Sequence, residues 1–323
     1  MGSLSDDRWI GAALALAERS RGRTAPNPNV GCIIVADGRV VGRGWTQPGG
    51  RPHAEAMALA AAGAKSRGAT SYVTLEPCAH LSSRGPACAD LLIEAGVARV
   101  VVAIGDPDPR TDGAGLERLR AAGVSTVSEV RVVEARRSMA GFLTRRLLAR
   151  PHVTLKLATS LDGRIAMADG SSRWITGAAA RAHAHLERSR HEAILVGRGT
   201  LDADAPTLDV RLAGLESRAP RRLLLSRGDA PSGWEIVRHP AAIAALVDVD
   251  HLLVEGGAQA AAAFLAADLV DRLLLYRAPI LIGSGKPALG DIGLPDLGAA
   301  HDVWRLHDAR MLGSDRLEVY ERR

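Results

Sequence analysis

The sequence predicts two α/β domains in tandem, and three observations lead there. The chain has 323 residues, more than a single core of ordinary size needs and enough for two domains. Short apolar runs rich in Val, Ile and Leu alternate along its length with helix-like segments. Near the midpoint Arg150-Pro151 interrupts that alternation, and the pattern then restarts. These place the domains at residues 1–150 and 151–323.

In the first half, Val30 to Val35 and Arg39 to Gly44 read as a hairpin about Asp37-Gly38, a strong two-residue turn signal. Ser71 to Leu75, Arg99 to Ile104 and Val124 to Val127 read as short buried strands. Arg8 to Arg19, His53 to Ala62, Cys88 to Ala95 and Leu116 to Ala122 read as helices, the last three closed by Gly63, Gly96 and Gly123. Val132 to Leu148 reads as one helix whose arginine pairs, Arg136-Arg137 and Arg145-Arg146, form a solvated face. In the second half, Val153 to Ala158, Ala193 to Val196, Arg222 to Ser226, His251 to Val254 and Arg272 to Tyr276 read as strands. Ala178 to Arg190 and Ala258 to Ala267 read as helices.

Composition excludes several classes. With 47% hydrophobic and 24% charged residues the chain buries a sizeable core and is not disordered. Its longest apolar run, Ala260 to Ala267, is far short of the roughly 18 to 20 residues of a membrane span, so no membrane partner is expected. Met1 to Trp9 carries acidic residues where a signal peptide has basic ones, which points to the cytoplasm. Three cysteines make no disulfide framework and leave thiols for packing or metal. Of the 41 cationic residues only Lys65, Lys156 and Lys286 are lysines. Such an arginine bias says little about nucleic acid, and no nucleic-acid partner is expected, although Arg suits a bidentate grip on phosphate.

One constellation carries chemistry. His53-Ala54-Glu55 opens a predicted helix, Pro77-Cys78 follows a predicted strand, and Cys88 opens the next helix. One imidazole and two thiolates supply three zinc ligands and leave a fourth position for water, which separates a catalytic zinc from a closed structural one. Glu55, two residues from a ligand, is placed to take a proton from water and return it to a leaving amine. Cys32 reads as a core thiol, and His80 as a substrate-facing or supporting group rather than a fourth ligand. Deaminases of nucleic-acid bases read P-C-x-x-C, whereas nine residues separate Cys78 from Cys88. A non-catalytic zinc module does not account for Glu55 beside an open position.

Pro26 to Cys32, Gly42 to Glu55, Leu75 to His80 and Gly105 to Pro109 together resemble the deaminase domain of the bifunctional deaminase-reductase family of riboflavin biosynthesis. The resemblance implies a cytidine-deaminase-like three-layer α/β/α domain in which His53, Cys78 and Cys88 bind zinc. Glu55 shuttles the proton as a phosphoribosylated diaminopyrimidinone loses ammonia. The interval from Cys78 to Cys88 is one residue longer than the family's usual P-C-x-H-x-G-R-T-P-P-C.

The second half offers weaker signals by itself. Glu255-Gly256-Gly257 joins a strand to a helix whose N-terminal donors suit a phosphate, and an ordinary strand-to-helix turn explains it equally well. Gly283-Ser284-Gly285-Lys286 fails as a P-loop because Pro287 stands where a magnesium-holding hydroxyl belongs. Lys156, in an apolar strand, reads as a snorkelling side chain. Lys156 to Arg164, Ser172 to Thr176, Ile194 to Gly197 with Thr200, and Val254 to Gly257 resemble the reductase domain of the same family, which is similar to dihydrofolate reductase in fold. The resemblance implies hydride transfer from NADPH, turning the ribosyl group into ribityl. Ala158, Trp174, Thr200, Asp204, Ser226 and the segment Gly257, Ala258, Gln259, Ala260, Ala261, Ala262 and Ala263 match NADPH positions. Ser172, Arg188, Leu208, Arg211 and Glu255 match substrate positions, with Arg188 and Arg211 suited to grip the 5′-phosphate. The family's Asp-Asp-Pro stands here as Asp204-Ala205-Pro206. The expected protein is a cytoplasmic, homo-oligomeric bifunctional enzyme using zinc and NADPH; a chain with one degenerate half is the alternative.

Overall fold

The computed structural model describes residues 3–80 and 84–323, so Leu81, Ser82 and Ser83 of the lengthened interval between the cysteines lie outside it. The chain divides at Ala149/Arg150 into two units.

The first unit opens with helix α1 (Leu4–Ala17), whose start is set by a capping box: the Ser3 hydroxyl accepts the Asp6 N–H, and the Asp6 carboxylate accepts the Ser3 N–H. Strands β1 (Gly31–Ala36) and β2 (Arg39–Trp45) form the expected antiparallel hairpin, with Asp37 and Gly38 both at positive φ as a tight type I′ turn requires. Helix α2 (Ala54–Ala62) leads to β3 (Thr70–Leu75), α3 (Cys88–Glu94) to β4 (Arg99–Ile104), and α4 (Ala114–Ala121) to β5 (Ser125–Val127). The sheet order is β2-β1-β3-β4-β5, with β3, β4 and β5 parallel. Helices gather in two groups, α1 with α5 (Val132–Ser138) and α2 with α3 and α4, giving three layers around a core that includes Ile10, Ile34, Leu92 and Leu119. Cys32 is fully buried in that core, as expected of it.

The single helix expected over 132–148 is two helices, α5 and α6 (Ala140–Leu148). The chain leaves helical geometry at Met139 (φ −103°, ψ 21°), whose side chain is fully buried, and the Ser138 carbonyl accepts a hydrogen bond from Asn29 Nδ2 at 3.2 Å. Tertiary burial and that competing donor override local helix propensity.

What seats the helix carrying Glu55 is an absence of side chains beneath it. A Cβ on Gly42 would stand 2.2 Å from the Ala58 carbonyl oxygen, and one on Gly44 2.1 Å from that of Ala54. Helix α2 therefore rests directly on the β2 backbone, which only glycine permits.

The second unit begins with β6 (His152–Thr159) and β7 (Arg164–Ala166), then α7 (Ala178–Arg188), β8 (Ala193–Gly197), α8 (Arg198–Asp204), β9 (Arg221–Leu225) and β10 (Glu235–Val237). β11 (His251–Val254), α9 (Ala258–Ala266), β12 (Arg272–Arg277), β13 (Lys286–Pro287), β14 (Trp304–Leu312) and β15 (Asp315–Arg322) complete it. The large sheet runs β10-β9-β8-β11-β6-β12-β15-β14, parallel from β10 to β12 and antiparallel beyond. Leu155, Leu195, Leu223 and Phe264 are fully buried in its core. No described helix is long and apolar enough to cross a membrane.

Gly44→Ala should push α2 off the sheet, lowering stability by about 1–3 kcal/mol, the usual cost of overpacking. Urea unfolding checks the stability, and metal content per chain after zinc loading checks the displacement; an unchanged zinc stoichiometry at wild-type stability would refute the seating role.

Candidate active site

In the first unit the elements converge on one point. His53 is the N-cap residue of α2, Cys78 follows β3, and Cys88 is the first residue of α3. Their ligand atoms lie within 4.8 Å of one another. His53 Nδ1 faces the sulfurs, 3.3 Å from Cys88 Sγ and 3.7 Å from Cys78 Sγ, and the Cys88 N–H donates to Cys78 Sγ at 3.3 Å. All three cysteines are free thiols. Hydrogen bonds from Cys88, opposed by burial, hold the Cys78 thiol down to about 4, so a thiolate forms there readily. Two sulfurs and an imidazole nitrogen turned toward one another are the donor set of a zinc site with room for a fourth ligand.

Glu55, the second residue of α2, is 3% exposed, and burial pushes its carboxyl up to about 7 against the pull of His53. A carboxyl that exchanges its proton near neutrality suits a shuttle. The cavity above these groups has a volume of about 340 Å³. Its wall includes Asn27, His80, Asp106, Asp108, Arg110 and Arg146. His80 Nδ1 lies 3.4 Å from Thr111 Oγ1 and stands apart from the ligand cluster, in keeping with a supporting place.

Two wall groups escape a reading of the sequence. Arg146, expected on a solvated face, turns instead to Asp108, with Nη2 3.4 Å from Oδ2, over the Phe142 ring. Asp108 also accepts from Arg110 Nε at 2.9 Å and Nη2 at 2.6 Å, and that guanidinium keeps its carboxyl well below the usual range. Glu76, 3% exposed and two residues from Cys78, accepts backbone N–H groups from Asp106, Gly113, Gly115 and Leu116 at 3.0–3.3 Å. It joins the strand end before Cys78 to the loop bearing Asp106 and to the start of α4.

In the second unit a cleft of about 1490 Å³ opens along the carboxyl ends of the parallel strands. It is lined by Ala158, Ser172, Trp174, Arg188, Thr200, Asp204, Leu208, Arg211, Ser226, Glu255, Gly257, Ala258, Gln259 and Ala260. Ala261, Ala262 and Ala263 are not among its lining: Ala261 and Ala262 are buried, Ala261 in the core, and Ala263 is half-buried. Only the first turn of α9 borders the opening; further along, Ala261 and Phe264 pack into the core. Gly257 N–H donates to Thr200 Oγ1 at 3.0 Å. Trp174 is 64% exposed, with the Arg181 guanidinium 4.7 Å from its ring centre.

Glu255 is the electrostatic centre of the cleft. Burial raises its carboxyl, but Lys156 and Arg188 overcome that and bring it down to about 2. Arg188 closes a bidentate fork on it, Nε and Nη2 each at 2.8 Å, and Lys156 Nζ lies 3.7 Å from Oε2. Lys156 therefore does not snorkel: its ammonium is held in the cleft by the carboxylate. Its rarity was the available signal, since Lys156 and Lys286, two of three lysines in the chain, line this one cleft. Arg211 is 61% exposed and touches Asp209 Oδ1 at 3.3 Å. Ala205 sits in the left-handed region (φ 40°, ψ 53°), where an aspartate is more at ease than an alanine.

Comparisons with known proteins agree with this geometry. Residues 4–104 match the family model for the cytidine and deoxycytidylate deaminase zinc-binding region, and residues 151–316 the model for the RibD C-terminal domain. The chain is 39% identical to the riboflavin biosynthesis protein RibD of Escherichia coli, over 97% of this chain and 98% of that one. It is 40% identical to the RibD protein of Mycobacterium tuberculosis, over 97% and 96%. Among solved structures, RibD of Acinetobacter baumannii superposes with a TM-score of 0.86 at 34% identity, covering 99% of both chains. A diaminohydroxyphosphoribosylaminopyrimidine deaminase/5-amino-6-(5-phosphoribosylamino)uracil reductase of Thermotoga maritima does so with a TM-score of 0.88 at 31% identity and 99% coverage of both.

A carboxyl whose folded pKa lies below its unfolded value adds stability above the unfolded pKa and loses it as pH falls through the folded one. For Glu255 that window runs from about 4.5 down to about 2. Urea titrations at pH 5 and pH 3 should show a smaller pH-dependent loss in Glu255→Gln than in wild type, by about 2 kcal/mol. The variant is also weaker at pH 7, where Arg188 and Lys156 lose their buried partner; equal slopes in the two proteins would contradict the assignment.

Proposed function

The chain belongs to the RibD family of bifunctional riboflavin-biosynthesis enzymes, and from that premise we propose how its residues divide the two reactions. The enzyme deaminates 2,5-diamino-6-(5-phosphoribosylamino)pyrimidin-4-one hydrolytically to 5-amino-6-(5-phosphoribosylamino)uracil, then reduces the ribosyl group to ribityl with NADPH. The observation that carries the reading is the convergence of His53, Cys78 and Cys88 beside buried Glu55, in a chain whose second half keeps a separate large cleft.

In the first unit, His53 Nδ1 and the Cys78 and Cys88 sulfurs hold zinc, which supplies the Lewis acidity that makes water a nucleophile at neutral pH. Glu55 accepts the proton that water gives up and delivers it to the departing amine; its near-neutral affinity lets one group do both. Arg110 and Arg146, paired with Asp108, hold that carboxylate in the cavity wall.

In the second unit, NADPH supplies the hydride. Ala158, Trp174, Thr200, Asp204, Ser226 and Gly257 to Ala260 face the cofactor, the indole offering a flat apolar wall and the α9 N-terminus its backbone donors. Ser172, Leu208, Arg211 and Glu255 face the substrate. Arg211, open to the cleft, fits the 5′-phosphate better than Arg188, whose fork is closed on Glu255. Arg188 and Lys156 instead fix the charge of Glu255, so that the carboxylate accepts hydrogen bonds from ribosyl hydroxyls. The same reading places the enzyme in the cytoplasm, where its thiols stay reduced. We propose in addition that the enzyme is a homo-oligomer, a state that sedimentation of the purified chain tests.

Glu55→Gln should keep one zinc per chain and lose deamination by about 100-fold or more, while reduction of a pre-deaminated substrate continues. Ammonia release and NADPH absorbance, followed separately, check it. Loss of both activities in a folded variant would contradict two independent sites.

A further inference from the structure

One wall of the second unit's cleft is a flap. β7 and β13 pair with each other, Lys286 opposite Ala166, in a two-stranded sheet apart from the large one. Ile165, Ala166, Lys286 and Pro287 of the flap line the cleft. Asp162, in the turn before β7, anchors it: the carboxylate accepts from Ser160 Oγ at 2.5 Å and from the N–H groups of Ile282 (3.1 Å) and Gly283 (2.7 Å). The Ala288 N–H donates to the Gly163 carbonyl at 3.0 Å, and the Gly290 N–H to the Ala258 carbonyl at 3.3 Å. A Cβ on Gly285 would stand 2.2 Å from the Ala166 carbonyl oxygen, so β13 lies close against β7 and Lys286 is held at a fixed place in the wall.

We propose that Lys286 is a substrate-binding residue of the reductase: its ammonium pairs with the 5′-phosphate of the substrate beside Ser172 and shares that dianion with Arg211. The proposal rests on the reductase reading above.

Two observations support it. The first is place. β7 leaves the carboxyl end of β6 and β13 follows β12, so the flap rises over the β6–β12 side of a sheet whose row runs β9-β8-β11-β6-β12. Lys156 and Glu255 stand on that side, at β6 and β11. β8 is two strands from β6, roughly 10 Å at about 4.8 Å per strand. Arg198, on Ser226 Oγ at 3.1 Å, and Arg238, on the Arg227 carbonyl at 2.5 Å, belong to that far end. A Cβ on Gly170 would stand 3.1 Å from Lys286 Nζ, so the ammonium lies against the turn that leads, two residues on, into Ser172. Next along, Arg173 Nη2 donates to the Asp204 carbonyl at 2.8 Å, which ties this segment to the loop that carries Leu208 and Arg211.

The second is charge. A phosphate monoester carries close to two negative charges at pH 7 and presents three acceptor oxygens. Of the cations bordering this end of the cleft, Arg188 and Lys156 are held by Glu255, and Arg173 is committed in part to the Asp204 carbonyl. Arg211 shares its guanidinium with Asp209, so it alone leaves a dianion under-compensated. Lys286 is exposed to the cleft and makes no hydrogen bond or ion pair with its side chain among the described residues. Asp169, the carboxylate of the neighbouring turn, accepts instead from the Ser171 N–H (2.8 Å) and hydroxyl (2.7 Å). A compact ammonium with three unused donors is the complement that such a phosphate needs.

The test uses the full zinc-loaded chain with NADPH at saturation. Reduction of 5-amino-6-(5-phosphoribosylamino)uracil and of its 5′-dephosphorylated counterpart isolates the phosphate; where the latter turns over too slowly, its competitive inhibition constant serves. Lys286→Gln should raise KM for the phosphorylated substrate about tenfold, as loss of a charged hydrogen bond does, with kcat little changed. The dephosphorylated compound should bind that variant as it binds wild type. Lys286→Arg should recover most of the loss because it keeps the charge, and the Kd of NADPH, read by nicotinamide fluorescence, should stay at the wild-type value in both variants. An equal loss on both compounds, an unchanged KM, or a loss confined to NADPH affinity overturns the proposal while the reductase activity stands. A wild-type chain that reduces neither compound overturns the reductase reading and the proposal together.

Discussion

Both sites obey one constraint: a parallel strand must be followed by a crossover, so whatever follows it departs from its carboxyl end. β3 delivers Cys78 there and β4 delivers Asp106 and Asp108; in the other unit β8 delivers Arg198 and Thr200, β9 Ser226 and β11 Glu255. Side chains far apart in sequence meet because their strands lie side by side in the sheet, and short helices starting at the same edge add backbone donors. Of the antiparallel parts, the β14–β15 pair extends its sheet without contributing to that row, whereas the β1–β2 hairpin brings Val30 and Thr46 to the first cavity and leads on to His53 and Glu55.

Legibility in the sequence followed how local each determinant is. The Asp37-Gly38 turn, the glycines closing helices and the zinc constellation are written in a few adjacent residues, and they stand where expected. The β14–β15 hairpin was not legible. β14 is exposed at six of its nine positions and carries Arg305, Asp308 and Arg310, so no apolar alternation marks it. α8 escaped because it is only seven residues long, with Gly199 inside it. The break at Met139 depends on Asn29, more than a hundred residues earlier, which no window on the sequence detects. The same holds for Lys156 and Arg146: each looked like solvated charge until the fold supplied Glu255 and Asp108 as partners.

The arginine-rich composition is likewise resolved by position rather than by number. Arg188 is consumed in holding Glu255, and Arg110 and Arg146 share Asp108, so those cations fix acidic groups. Around Ser226 the arginines rest on carbonyl and hydroxyl oxygens, and their charge is left for something else. Whether a guanidinium ends on a carboxylate or on a neutral oxygen separates a structural cation from one available to a ligand.

The four N–H groups gathered by Glu76 bear on how the first site meets its substrate. That carboxylate fastens the Asp106 loop, the start of α4 and the strand end before Cys78 into one body. A substrate entering this cavity finds the specificity wall and the metal-bearing floor already in register, with little segmental freedom to quench on arrival. Discrimination between related pyrimidines then comes from a fixed shape that a wrong ligand fails to match, rather than from a closure that a right one induces.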